Sequence, residues 1–126
     1  MLGDYRVKTR QAGAPNDILM FREPMASLGI VVSNANYVEQ DGRKLVKAGT
    51  PLKGDIDNRT VPFEVTTGND ATVILRDDVD VTNGNNNGTG LRFAFVNTNR
   101  IDSTTLTKIT EEVKTALKGK ITFIKG

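Results

Sequence analysis

The chain has 126 residues, 37% of them hydrophobic and 25% charged, a balance that fits one globular domain with a modest core and leaves no length for a second. Its 17 Lys and Arg against 15 Asp and Glu give a formal charge of +2, interspersed along the chain rather than gathered into a basic tract, which argues against a dedicated nucleic-acid or membrane-surface binder. Cysteine and histidine are both absent, which removes disulfides, thiolate chemistry, the usual zinc sites and any Ser/His or Cys/His nucleophile pair.

Residues 1 to 27 read as an arm: scattered charges at Asp4, Arg6, Lys8 and Arg10, small residues at Ala12, Gly13 and Ala14, and prolines at Pro15 and Pro24. No apolar run of signal-peptide or membrane-spanning length occurs, so a soluble chain not exported by a classical route is expected. Inside the arm, Ile18, Leu19, Met20 and Phe21 form an apolar patch bordered by Arg22. The patch either packs on its own domain or is held for a partner on which the arm becomes ordered.

The domain proper is expected over residues 28–126. Leu28 to Ser33 is a β-branched run of strand length. Tyr37-Val38 and Lys44 to Val46 bracket Asp41-Gly42, a hairpin signal because glycine takes the positive φ such a turn needs. Gly49 and Pro51 mark a turn, and Pro51, lacking an amide donor, is expected to end a strand or lie on an edge. Val61, Phe63 and Val65 alternate with polar residues, Val73 to Leu75 reads as a buried strand, and Asn83 to Gly90 as a mobile connecting loop. Leu91, Phe93 and Phe95 share one strand face, which places the core centre there. From Ser103 the period turns helical, with Leu106, Ile109, Val113, Ala116 and Leu117 predicting one main helix near 104–118. Ile121 to Ile124 reads as a final strand. The sum is a mainly β, α+β fold: a small compact β-sandwich or barrel-like domain with one helix in its C-terminal half and an extended N-terminal arm.

Chemical motifs fail on inspection. Asp77, Asp78 and Asp80 form the one acidic cluster, but an EF-hand loop counted from Asp78 meets Asn83 and Thr89 where glycine and glutamate are required. These carboxylates are read instead as a corner that turns the chain, with Asp78, Asp80 and Gly84 fixing the turns. Gly49 and Gly54 have phosphate-loop spacing, yet Asp55-Ile56 stands where Lys and Ser/Thr belong. Basic residues interleaved with stacking aromatics are missing. No catalytic residue, cofactor or metal site is assigned, and the chain reads as a non-enzyme.

Three separated pieces carry a resemblance: Val46-Lys-Ala-Gly-Thr-Pro-Leu52, then Val73 to Gly84 with its Asp-Val-Asp-Val segment and the Asn/Gly loop after it, then the strand from Arg92 to Asn97 leading to Arg100-Ile-Asp102 ahead of Leu106. Together, in this order, they resemble the small head decoration proteins of tailed bacteriophages, the group related to the lambda head protein. Thr72 and Asn97 stand where related sequences often have glycine. The resemblance implies a structural virion protein on the capsid exterior, assembled in the bacterial cytoplasm. It would bind as a homotrimer at three-fold sites of the expanded head, with the major capsid protein and itself as partners and neither nucleic acid nor membrane. The arm, with Ile18, Leu19, Met20, Phe21 and Arg22, would contact the capsid, and removing residues 1 to about 27 would leave a folded domain that no longer binds. Two other readings are the attachment base of a head fibre or host-binding module, and a lipoyl- or biotinyl-like carrier. The carrier requires a hairpin-tip lysine flanked by Asp or Met, and no lysine here has those neighbours.

Overall fold

The computed structural model describes residues 17–20 and 26–126. Among the described residues, nine strands form two sheets, with two short helices: β1 (Ala26–Val32), β2 (Val38–Gln40), β3 (Arg43–Val46), β4 (Pro51–Lys53), β5 (Glu64–Val65), β6 (Val73–Leu75), β7 (Val79–Asp80), β8 (Asn86–Asn97), α1 (Ser103–Leu106), α2 (Glu111–Ala116) and β9 (Ile121–Ile124). The main sheet runs β1-β8-β6-β4-β5, with β9 added to β8, and the small sheet runs β2-β3-β7. The domain is mainly β, as the strand periodicities predict.

Two apolar clusters line the two faces of the main sheet. Ile74 belongs to one, with Ala94, Val96, Ile109, Val113 and Leu117; its neighbours Val73 and Leu75 belong to the other, with Val46, Phe63, Val79 and Val81. Because successive strand residues point to opposite faces, β6 is apolar throughout and fully buried. The helices cover one face and the small sheet the other.

The β2–β3 hairpin closes through Asp41 (φ 54°) and Gly42 (φ 78°), two consecutive positive-φ residues that match the twist of the flanking strands. Pro51 neither ends a strand nor lies on an edge. It opens β4, which sits between β5 and β6; the first position of a strand tolerates a residue without an N–H. Of the predicted 61–65 strand, Phe63 is fully buried and its N–H bonds the Val31 carbonyl at 2.7 Å, whereas Val61 is 52% exposed.

Strand β8 departs most from expectation. The Asn/Gly stretch predicted as a mobile loop is strand from Asn86 onward, paired with β1 from Val32↔Asn86 to Leu28↔Gly90. Its glycines serve close packing: a Cβ on Gly88 would lie 2.8 Å from Val79 Cγ2, and one on Gly90 3.0 Å from Val73 Cγ2. Further along, Ala26 faces Phe93 and Ser27 faces Leu91, which leaves Arg92 unpaired in a bulge. The extra residue shifts the alternation by one, so Leu91, Ala94 and Val96 are buried while Phe93 is 38% exposed. The core is therefore centred on β6 and the inward face of β8, not on Phe93 and Phe95.

The single predicted helix is two. After α1 the chain tightens through i→i+3 bonds, Lys108 N–H to Thr105 O and Ile109 N–H to Leu106 O, and Thr110 turns extended (φ −81°, ψ 172°) to cap α2 with its hydroxyl on the Val113 N–H. The same hydroxyl donates to the Thr67 carbonyl at 2.7 Å. A threonine that bonds outside the helix and caps a new one interrupts the old one. Ile109, Val113 and Leu117 still enter one cluster, which explains the helical spacing despite the break.

Candidate functional site

The turn after β3 is built from its own backbone. Gly49 has φ 94°, a conformation that favours glycine, and its N–H donates to Leu75 O at 2.8 Å while Leu75 N–H donates to Thr50 O at 3.0 Å. The Thr50 hydroxyl donates to Lys47 O at 2.6 Å. Asp78, arriving from the end of β6, accepts the Ala48 N–H at 2.7 Å and pairs with Lys47 Nζ at 3.4 Å. Bare Gly49 lies against Ile101: a Cβ there would be 2.8 Å from Ile101 Cγ2.

Ile101 is placed by two caps. Asn97 ends β8 and caps a single turn at 98–100 by accepting the Asn99 N–H, and Asp102 caps α1 by accepting the Thr104 N–H. Lys47, Ala48, Asp78, Arg100 and Asp102 then line a crevice of about 240 Å³. The three sequence pieces that carry the resemblance thus converge on one corner.

The N-terminal segment is fastened at the same corner. Arg100 Nη1 donates to Asp17 O at 3.2 Å, Asn97 N–H to Ile18 O at 2.7 Å, and Met20 N–H to Phe95 O at 2.9 Å, while Leu19 bridges Val96. Ile18 and Leu19 are 0% and 3% exposed within the helix-side cluster, so their side chains face their own domain rather than outward to a capsid, because the upper edge of β8 needs apolar cover. Residues 17–20 belong to the domain, and Ala26 and Ser27 to β1, which the expected arm of residues 1–27 had included. Met20 is half-buried; Phe21 and Arg22 lie outside the described residues. Gly42 sits at the hairpin tip, Pro51 opens β4, and Asp80 and Gly84 occupy a separate turn, where Asp80 Oδ1 accepts the Thr82 N–H at 2.9 Å. Of the turn residues assigned from the sequence, Gly49 and Asp78 meet here, and Ile18, Leu19 and Met20 join them through their backbones. Lys47, Arg100 and Asp102 were visible inside the motif pieces, whereas nothing local marks Asp17.

Partial withdrawal from water raises the Asp77 pKa above the ordinary carboxylate value against the pull of Arg76, and the charges of Asp17 and Asp78 add to the rise. A carboxyl whose pKa is higher in the folded chain than in the unfolded one opposes folding once ionised. Asp77→Asn is therefore expected to raise the melting temperature at pH 7, with the gain shrinking as acid protonates Asp77 in the wild type. A gain that persisted unchanged at low pH in thermal scans would contradict this. Asp70 and Asp80 go the other way: the Thr66 hydroxyl beside Asp70 and the Thr82 bonds to Asp80 lower their pKa values, so what they contribute is lost as pH falls.

Chemically the corner presents paired charges and backbone turns. Among the described residues, no group of three His, Cys, Asp or Glu side chains could hold a metal ion, and no helix is long and apolar enough to cross a membrane. Neither a protein-family model nor a curated protein matches the chain.

Proposed function

We propose that the chain is a structural virion protein that binds the outer surface of a phage head as a homotrimer and stabilises the expanded capsid. One observation supports this reading above the rest. Segments around residues 47–50, 77–78 and 100–102, which carry the resemblance to head decoration proteins, interlock at the corner where Arg100 also holds Asp17. The sequence leading to Asp17 therefore starts from a fixed point on the domain. In a multivalent assembly many such modest contacts add to a strong one.

The test is co-sedimentation of the full chain with expanded, undecorated heads assembled from the capsid protein encoded alongside it, with molar mass measured separately. Binding that saturates at a multiple of three chains per three-fold site, with heads surviving heat or chelator better than bare ones, is the expected result. Full-length protein remaining in the supernatant at micromolar concentration would overturn the proposal.

A further inference from the structure

Strand β1 is an outer strand of the main sheet, and its free side is legible from its bonds. Val31 O accepts the Phe63 N–H, and Ser33 N–H donates to Phe63 O. Backbone groups of alternate residues point to the same side of an antiparallel strand, so those of Ser27 and Gly29 also point away from β8. The Gly29 carbonyl agrees, because Arg59 Nη1 reaches it from that side at 3.3 Å. The outward N–H groups of Ser27 and Gly29 have no partner among the described residues. An edge with open donors is a template for another strand.

The surroundings decide what fits. Beyond Val31 the edge is closed by Phe63; beside Gly29, Ile30 and Val31 lies a cleft of about 640 Å³ whose far wall is the loop from Ile56 to Thr60, a volume in the range of ligand-sized sites. That wall is braced by Asp55, whose Oδ1 accepts the Asp57 N–H at 2.8 Å, and by the Thr60 hydroxyl on Asn58 Oδ1 at 2.9 Å. With Phe63 bonded at Val31 and Ser33, the open stretch of the edge is short, which suits a single extended segment better than the long edge of a second folded sheet. Gly29 leaves the floor bare, with nothing within 4 Å of where a Cβ would stand. Arg59 makes no ion pair among the described residues, and its one carbonyl bond is exchangeable for a carboxylate, which binds a guanidinium more strongly.

We propose that the outer edge of β1 at Ser27 and Gly29 takes up an extended peptide segment of another protein as an added strand, with an acidic side chain of that segment on Arg59. Main-chain bonds to the edge supply affinity and the Arg59 contact supplies selectivity. This site lies apart from the corner that anchors Asp17, and its test does not depend on capsid binding.

The experiment selects a displayed library of random short peptides on the immobilised full chain, then measures the enriched peptides by titration calorimetry and amide hydrogen exchange. Enriched sequences are expected to carry Asp or Glu among β-branched residues and to slow exchange at Ser27 and Gly29. Gly29→Pro removes an N–H that bonds nothing within the domain, at an edge position that tolerates proline, and is expected to weaken binding about tenfold or more by removing a main-chain bond. Arg59→Gln is expected to weaken peptides with the acidic residue and spare their Asn or Gln counterparts. No enrichment, protection confined to other amides, or unchanged affinity in both variants would overturn the proposal. Protection of the same amides by concentration alone, with a rise in mass, would also overturn it in favour of self-association.

Discussion

A chain beginning at Asp17 is expected to keep cooperative unfolding, and a chain beginning at Leu28 to lose it altogether. Ile18 and Leu19 are almost wholly enclosed, and emptying one such site costs about 2–5 kcal/mol. Removing both approaches the entire stability of a small domain, about 5–15 kcal/mol. The shorter chain also leaves the Asn97 N–H without Ile18 O and the Phe95 carbonyl without Met20 N–H, and it cuts two residues from β1. Thermal circular dichroism on the two truncations checks this; matching transitions would show that the N-terminal segment contributes no stability. The result governs how capsid binding is tested, since only the truncation at Asp17 separates loss of the preceding residues from loss of the fold.

Gly49→Ala is expected to cost about 2–5 kcal/mol, from roughly 1–2 for holding an L side chain in left-handed backbone and roughly 1–3 for forcing a methyl against Ile101. The clash is direct, 2.8 Å to Ile101 Cγ2 at φ 94°. Shortening the obstacle separates the two parts. In Gly49→Ala with Ile101→Ala the steric share disappears and the backbone share stays, so the double variant is expected to be more stable than the sum of the single losses by about 1 kcal/mol or more. Strict additivity in urea unfolding would mean that the turn and the 98–102 segment are not packed as described, and the corner would lose its basis.

What could be read from the sequence is what local chemistry dictates. Asp41-Gly42 announces its hairpin because only certain residues accept positive φ. Val73 to Leu75 announces a strand buried on both faces, and Ile121 to Ile124 a strand that returns to the sheet, here parallel to β8. The misreadings concern partners distant in sequence. Gly88 and Gly90 look like loop residues until Val79 and Val73 are seen pressing on them. Phe93 looks like core until the Arg92 bulge turns it outward, and Arg92 itself reaches the Thr72 carbonyl at 2.7 Å. At the corner, Gly49 and Asp78 were recognisable as turn-forming residues. Their union with Arg100 and Asp17 spans 83 positions between the last two, and no periodicity encodes such a meeting.

The upper end of β8 is held on one side by Ile18 and on the other by Ile124, both at Asn97. The first and last described segments are thus separated by one intervening strand, roughly 10 Å at the usual strand spacing. The contacts that seal the helix-side core therefore join residues as far apart in sequence as Asp17 and Arg100, 83 positions, the arrangement that slows folding because a long loop must close first. During synthesis the earlier strands can find one another as they leave the ribosome, but this edge stays open until Ile124 has emerged. Completion of the domain therefore waits on the segment that carries β9.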